Sequence, residues 1–192
     1  VAEGDRLGAL YVLALCTGLR QGELLGLRWQ DLDMEKGVLR VQRSLQRIEG
    51  RFQLVEPKTG KSQRALPLPQ VAAAALRAHR SRQNEDRLQM GSGWQDEWGL
   101  VFTTPLGTPF DASNIVRYWH QFLTKHKLPT IRFHDLRHSC ASLLLAQGVS
   151  LRMIMEQLGH SQISLTANLY THILPVLQQD AADRMDALLA GS

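Results

Sequence analysis

The hydrophobic pattern of this 192-residue chain changes its period between residues 37 and 68, and this segment decides the fold class. Turn signals at Gly37, Glu49-Gly50 and Thr59-Gly60 divide it into short runs with partial alternation of apolar and polar residues. The runs are VLRVQRSL, FQLVEP and QRALPL. They predict a small antiparallel sheet of three strands. The rest of the chain follows helical spacing, so the sequence predicts an α+β fold that is mainly α and carries this one sheet.

Helical spacing begins near the start of the chain. A nearly all-apolar run at residues 7–15 predicts a buried helix that Thr17-Gly18 interrupts, and a second helix is expected from Arg20 to about Trp29. Further helices are expected over residues 69–89, 111–126, 136–147, 151–158 and 161–170, with a short extended segment over 100–104. Asp111 or Ser113 and Ser150 are the expected caps of two of these helices.

Positive charge is concentrated in the strand segment. Residues 40–64 contain seven basic and two acidic residues, or +5, whereas the whole chain carries +4. The basic residues are Arg40, Arg43, Arg47, Arg51, Lys58, Lys61 and Arg64. Because the planar guanidinium fits phosphate oxygens, one interpretation is a nucleic-acid partner contacted by Arg43, Arg47 and Lys61. A solvated charged hairpin explains the same charge equally well.

Composition excludes several classes of protein. Hydrophobic residues make up 44% and charged residues 21% of the chain, which excludes a disordered tail and a fibrous repeat. No apolar run approaches the ~18 residues of a membrane span, and no secretory signal opens the chain. Cys16 and Cys140 are expected to be buried thiols in a reducing compartment. The start at Val1 rather than Met predicts a fragment of a longer protein.

Two motifs in the first third of the chain carry candidate site residues. In Thr17-Gly-Leu-Arg-Gln-Gly-Glu23, a glycine break places Arg20 at the start of a helix, with Glu23 one turn on and able to hold it from behind. Taken alone, this pair is equally a surface ion pair. The motif Pro57-Lys-Thr-Gly-Lys61 places Lys58 at a hairpin tip, where a lysine commonly does no more than keep a sheet edge soluble.

A third motif, His134-Asp-Leu-Arg-His138, places His134 and Arg137 on one helix face as a donor pair for an anion. His138 is expected to be a partly buried structural histidine. Another interpretation is a zinc site, because His134 and His138 are four residues apart and Glu156 could be a third ligand. That interpretation would leave the basic residues of the other motifs without a role.

The fourth motif combines a glycine turn that exposes His160 with Tyr170 ten residues later on a short helix. Taken singly, these are a satisfied turn histidine and a half-buried tyrosine. Residues 148–170 also have the pattern of a helix-turn-helix. A DNA-binding module without chemistry is therefore a second interpretation of the chain.

The four motifs together resemble the tyrosine recombinase family, which includes the phage integrases and Xer-type resolvases. The matching segments are TGLRQGELLGLRW, PKTG, HDLRH, LGH and the tyrosine. They supply six residues in the family's order and at similar spacing: Arg20, Lys58, His134, Arg137, His160 and Tyr170. The resemblance extends from about Leu10 to the region of Tyr170. It implies that residues 1–192 are the family's catalytic domain, without its N-terminal DNA-clasping (core-binding) domain.

The resemblance implies site-specific DNA recombination. The Tyr170 hydroxyl would attack a DNA phosphodiester, forming a 3′-phosphotyrosine and freeing a 5′-hydroxyl, and a 5′-hydroxyl from another strand would reverse the step. No metal, ATP or other cofactor is expected. Arg20 and Arg137 would hold the non-bridging oxygens of the pentavalent transition state, and Glu23 would orient Arg20.

The remaining roles implied by the resemblance concern protons. A tyrosine hydroxyl has an ordinary pKa of about 10, so Tyr170 needs a cationic site or a base. His134 is the candidate for moving that proton, and His160 for a further hydrogen bond to a phosphate oxygen. Lys58 is the candidate acid that protonates the leaving 5′-oxygen.

The resemblance also implies partners and a location. Double-stranded DNA is the expected substrate, bound by a homotetramer that a C-terminal tail holds together. A tail helix after Pro175 would carry an apolar stripe of Leu177, Ala181, Met185 and Leu188. The expected location is the cytoplasm, and the expected origin is a prokaryotic cell, a phage or another mobile element. A type IB topoisomerase uses similar chemistry, and strand exchange between two sites would separate it from a recombinase.

Overall fold

The computed structural model describes residues 4–56, 63–159, 182–183 and 185–190. Its α-helices are α1 (Gly8–Thr17), α2 (Gln21–Leu25), α3 (Gln70–Met90), α4 (Ala112–Lys125), α5 (Asp135–Ala146) and α6 (Leu151–Leu158). Its strands are β1 (Leu32–Asp33), β2 (Val38–Val41), β3 (Ser44–Ile48), β4 (Arg51–Val55) and β5 (Arg64–Pro67). The predicted class, mainly helical with a small antiparallel sheet, is confirmed.

A three-stranded antiparallel sheet is present, as predicted, but its strands are not the three runs, and the segment also forms a second sheet. β2 pairs antiparallel with β1 and with β5, in the order β1-β2-β5, whereas β3 and β4 form a separate hairpin. The run VLRVQRSL breaks after Val41, and its second half enters the hairpin. The sequence does not predict β1, because two residues are too few to show a period.

Helix α1 lies at the centre of the core. Leu10 and Leu13 are fully buried, and the helix contacts both α3 and α5. Tyr11 packs its ring 4.9 Å from the rings of Trp119 and Phe122, which brings α4 against the same helix. A helix with neighbours on several sides must be apolar nearly all round, and this composition is what predicts its burial from the sequence. It ends at Gly18, whose left-handed φ of 65° turns the chain toward α2.

Helix α2 ends at Leu25, short of the predicted end near Trp29. The chain leaves the helix because its backbone bonds to a distant segment: Leu27 O accepts from Val101 N at 2.8 Å, and Trp29 N donates to Gly99 O at 2.9 Å. The segment predicted to be extended over 100–104 is therefore the partner of the chain that follows α2. It forms isolated bridges rather than a strand.

Two helices in the second half of the described chain begin at their predicted capping residues. The Asp111 carboxylate accepts from Ser113 N at 2.9 Å and begins α4, and the Ser150 hydroxyl accepts from Met153 N at 3.4 Å and begins α6. Helices α5 and α6 pack together through a small buried cluster of Ala141, Leu145, Ile154 and Leu158. Cys16 and Cys140 are free thiols; Cys140 is buried, as predicted, whereas Cys16 is only half-buried, and burial raises the pKa of Cys140 to about 11.

Several predicted features lie outside the described residues. They are the hairpin tip with Lys58 and Lys61, His160, and the helix through Tyr170. Of the predicted tail helix, residues 182–183 and 185–189 are helical, and Met185 and Leu188 are exposed. In the part of the chain that the structure describes, no helix has both the length and the apolar character needed to cross a membrane.

Candidate active site

Arg20 stands at the N-terminal cap of α2, where the predicted glycine break places it. Its Nη1 lies 3.1 Å from Glu23 Oε1, and its backbone N–H donates to Glu23 Oε2 at 2.9 Å. One carboxylate therefore fixes both the backbone and the side chain of Arg20. The predicted contact between the two residues is present, and the Arg20 side chain remains 44% exposed.

Arg64, which the motifs do not single out, holds Glu23 from the other side. Its Nη1 and Nη2 lie 3.2 and 3.0 Å from Glu23 Oε1 and Oε2, a bidentate pair between side chains only 7% and 8% exposed. Alternation along β5 is the signal that could have located it. Arg64 stands two residues before the buried Leu66, so it faces the interior on the same side of the strand.

Glu23 is charged in this environment. Burial alone would raise the pKa of its carboxyl, but the hydrogen bonds and positive charges of Arg64 and Arg20 outweigh burial and hold that pKa below its ordinary value. At neutral pH the site therefore contains one buried carboxylate between two guanidiniums.

Arg137 of α5 reaches the same region from the core side. The residue is 4% exposed, with Nη1 donating to Gly18 O at 2.6 Å and Nη2 to Leu158 O at 2.7 Å. Burial, and next the charge of Arg20, lower the pKa of Arg137 to about 10, so it stays protonated at neutral pH. Each of these two nitrogens carries a second N–H, so the guanidinium keeps donors for an anion.

The C-terminal end of α6 gathers the three arginines. Its successive carbonyls each accept from a different one: Gln157 O from Arg64 Nε at 2.7 Å, Leu158 O from Arg137 Nη2 at 2.7 Å, and Gly159 O from Arg20 Nη2 at 3.5 Å. The last carbonyls of a helix lack partners within the helix and carry partial negative charge, which suits guanidinium donors. The next residue in the chain is His160.

His134 occupies the N-terminal cap position of α5 and is exposed. Partial burial of the ring, and next the electrostatic influence of His138 and Arg137, lower its pKa, so the neutral ring that can accept a proton prevails at pH 7. His138 is half-buried, as expected, with its ring edge-on to His134 at 5.2 Å. Its Nδ1 is buried and has no hydrogen-bond partner among the described residues.

The described residues do not assemble the alternative zinc site. Over residues 4–56, 63–159, 182–183 and 185–190, no three His, Cys, Asp or Glu side chains lie together in an arrangement that could hold a metal ion. Glu156, the possible third ligand, instead pairs with Arg152 at 3.2 Å on the surface of α6.

In the basic segment, residues 40–64, nearby acidic side chains compensate part of the positive charge. Arg43 lies 3.7 Å from Asp31, and Arg47 lies 2.8 Å from Asp111 at the start of α4. Both acidic partners come from outside residues 40–64, and Arg64 is buried against Glu23. The +5 of the segment therefore overstates the positive charge that its surface presents.

Comparison with known proteins gives a consistent result. The sequence model of the phage integrase family matches residues 3–175. A tyrosine recombinase XerC-like protein of Caldanaerobacter subterraneus subsp. tengcongensis is 43% identical over 97% of this chain and 50% of its own length. The ICEBs1 integrase of Bacillus subtilis is 32% identical over 93% of this chain and 48% of its own. The chain thus spans about half the length of the curated relatives it matches.

Solved structures share the fold. The Tn1549 transposon integrase in complex with transposon right end DNA matches 99% of this chain and 62% of that chain, with a TM-score of 0.78 and 28% identity. The XerA recombinase matches 100% of this chain and 59% of its own, with a TM-score of 0.70 and 24% identity. The resemblance drawn from the four motifs is confirmed, and the chain belongs to the phage integrase family of tyrosine recombinases.

Proposed function

We propose that this chain is the catalytic domain of a site-specific recombinase that cleaves and rejoins double-stranded DNA through a 3′-phosphotyrosine. The observation that carries the proposal is the gathering of three guanidiniums at the end of α6 around one carboxylate. This group has a net charge of +2, which suits the negative charge of a phosphodiester transition state. Relatives named as integrases and recombinases, one of them solved with DNA, support it.

Two of the arginines face the phosphate in this proposal. Arg20 is about half-exposed and offers its guanidinium directly to a non-bridging oxygen. Arg137 is anchored by two carbonyls, and its remaining N–H groups serve the same purpose. Donors held in place before the substrate arrives need no reorganisation during the reaction, and losing one typically costs about 3–4 kcal/mol of transition-state stabilisation.

The bond changes require residues in addition to the arginines. The Tyr170 oxygen forms a bond to phosphorus, and the bond from phosphorus to the 5′-oxygen breaks. Neutral His134 accepts or relays the tyrosyl proton, and Lys58 donates a proton to the leaving oxygen. His160 donates a further hydrogen bond to the phosphate. Support for His134 comes from its lowered pKa, and support for the other three from the sequence motifs.

Arg43, Arg47 and Lys61 are proposed to contact DNA phosphates outside the reacting centre. Arg47 supports this best, because its side chain is 57% exposed despite its ion pair. An exposed ion pair is worth little, so a phosphate can compete with Asp111 for this guanidinium.

Assembly into a tetramer on DNA through the C-terminal tail is also proposed. Its support is the exposure of three apolar side chains in the described part of the tail: Met185, Leu188 and Leu189 are 56%, 74% and 76% exposed. A helix with such a face is expected to bury it against a neighbouring subunit. Deletion of residues 175–192 should weaken synapsis, and recombination at the normal rate after this deletion would contradict the assignment.

The test of the proposed reaction is trapping of a covalent adduct on a nicked DNA substrate from which the leaving strand diffuses away. The wild type should form the adduct, and Tyr170→Phe should bind the same DNA without forming it, since only the nucleophilic oxygen is lost. Tyr118→Phe, a change of the same kind on α4, is the matched control and should form the adduct normally. No adduct from the wild type would favour the helix-turn-helix interpretation, and an adduct from Tyr170→Phe would exclude that nucleophile. Exchange of strands between two sites separates a recombinase from a topoisomerase.

A further inference from the structure

We propose that Arg64 is a positioning residue of this active site, which fixes Glu23 and, through Glu23, the guanidinium of Arg20. The inference rests on the proposed function and adds to it a residue that none of the four motifs contains. Arg64 opens β5, two residues after residues 57–62, which carry Lys58.

The contacts of Arg64 join parts of the chain that are far apart in sequence. Its Nη atoms reach Glu23, 41 residues away, and its Nε reaches the Gln157 carbonyl, 93 residues away, at 2.7 Å. One buried guanidinium therefore ties β5 both to the helix that carries Arg20 and to the helix end that precedes His160. Arg20 begins the first of these helices, so Arg64 fixes the position of Arg20 relative to the end of α6.

The geometry requires an arginine rather than a positive charge alone. A lysine ammonium carries all its N–H donors on one nitrogen, so it cannot reproduce two parallel bonds to the Glu23 oxygens and a third to the Gln157 carbonyl, which Arg64 makes from three separate nitrogens. Arg64→Lys therefore retains the charge beside Glu23 and removes the fork. Glu23 would then rotate toward Arg20, its remaining guanidinium partner in the described structure, and carry that guanidinium away from its present position.

The Gly159 backbone is shaped around this contact. Gly159 has a φ of 68°, and a Cβ built there would lie 2.9 Å from Arg64 Nη1. The helix end approaches the guanidinium as closely as the absence of a side chain permits. The position of Arg64 is thus defined by the strand, by the carboxylate and by the main chain after α6.

The experiment measures single-turnover cleavage by the intact protein on two substrates. One has an ordinary scissile phosphodiester, and the other has a methylphosphonate, in which a methyl group replaces one charged non-bridging oxygen. We expect Arg64→Lys to cleave the ordinary substrate roughly 10–100-fold more slowly than the wild type, at unchanged DNA affinity, because misplacement by about 1 Å has effects of this size. The defect should shrink on the methylphosphonate, as should that of Arg20→Lys, because the neutral diester needs less charge compensation.

Two controls separate positioning from folding. Arg82→Lys changes another partly buried arginine, whose Nη1 donates to Asp5 O at 2.9 Å, and should leave cleavage of both substrates unchanged. The paired variant Glu23→Gln with Arg64→Met removes the ion pair as a unit and avoids leaving one charge of the pair alone. Its cleavage defect should be smaller than the product of the two single defects, because the two residues share the contact between them.

Three results would overturn the inference. Cleavage of the ordinary substrate by Arg64→Lys at the wild-type rate is the first. An equal loss on both substrates is the second, because a structural role alone would produce it. Recovery on a substrate with a bridging 5′-sulfur instead of on the methylphosphonate is the third, because it would tie Arg64 to protonation of the leaving group. If the wild type forms no adduct on the ordinary substrate, the proposed function fails and this inference fails with it.

Discussion

Glu23→Gln is the substitution with the most definite expected effect on stability. The carboxylate accepts four hydrogen bonds: from Arg20 N at 2.9 Å, Arg20 Nη1 at 3.1 Å, Arg64 Nη1 at 3.2 Å and Arg64 Nη2 at 3.0 Å. Glutamine has the same shape but only one acceptor oxygen and no charge. Its amide N–H groups would point at guanidinium N–H groups, and the buried Arg64 would lose the negative charge that Glu23 supplies.

The expected loss follows from the burial of the pair. Both side chains are less than a tenth exposed, and removing one partner of such a buried pair typically costs about 3–5 kcal/mol. For a domain of about 200 residues, each kcal/mol lowers the melting temperature by about 2–4 °C. The Glu23→Gln chain should therefore melt about 6–20 °C below the wild type at pH 7.

The difference in the free energy of unfolding between the wild type and Glu23→Gln should decrease as the pH falls. Because the pKa of Glu23 in the folded chain lies below its ordinary value of 4.5, the ionised carboxylate stabilises the fold above that pH. This contribution disappears as the pH falls through the lowered pKa, whereas glutamine does not titrate. The free energies of unfolding of wild type and variant, measured with urea between pH 3 and pH 7, should converge at the acid end of this range.

A matched control uses the same change on the surface. Glu156 is 68% exposed and pairs with Arg152, so Glu156→Gln should alter the free energy of unfolding by less than about 1 kcal/mol. If Glu23→Gln costs as little as Glu156→Gln at pH 7, or if its effect does not depend on pH, the buried ion pair is not the source of stability described here.

Three further outcomes test other parts of the molecule. Gly159→Ala should destabilise the fold by about 1–2 kcal/mol, because the Gly159 backbone is left-handed and the new methyl group would contact Arg64. An unchanged melting temperature would contradict the described contact between the end of α6 and Arg64. Lys58→Ala should cleave ordinary DNA slowly but approach the wild-type rate on a substrate with a bridging 5′-sulfur, whose leaving group needs no proton; without that recovery, Lys58 is better assigned to holding a phosphate. Arg47→Gln should weaken DNA binding and reduce the dependence of log K on log salt by about 0.9 if it neutralises one phosphate, and unchanged binding and slope would remove it from the interface.

The helices could be predicted because their causes are local. An all-apolar run defines α1, and caps at Asp111 and Ser150 define where α4 and α6 begin. The early end of α2 could not be predicted, because it depends on backbone hydrogen bonds of Leu27 and Trp29 with Val101 and Gly99, far away in sequence. The division into two sheets could not be predicted either, because strand pairing depends on contacts between distant segments. The two-residue strand β1, which pairs with β2, is also too short to show a pattern of its own.

The candidate site shows the same division between local and distant causes. The pair of Arg20 and Glu23 follows from helical spacing, so the motif predicts it. Arg64 counts as surface charge when residues are summed along the segment, and only the fold shows that its partner is a carboxylate 41 residues earlier. The motif of Arg137 likewise does not indicate its burial, because the carbonyls that accept from it lie at the C-terminal ends of α1 and α6.

The carbonyls at the end of α6 have a consequence for how this domain responds to mutation. They belong to the main chain, so no replacement of a side chain at Gln157 or Leu158 removes them. Among the described residues, the Gln157 side chain makes a weak contact, 3.8 Å from the Cys140 sulfur, whereas Leu158 is a core residue. Alanine scanning would score the first position as tolerant and the second as a packing position. Only a change of the backbone itself, such as an ester in place of a peptide bond, would reveal that both supply acceptors to the arginines.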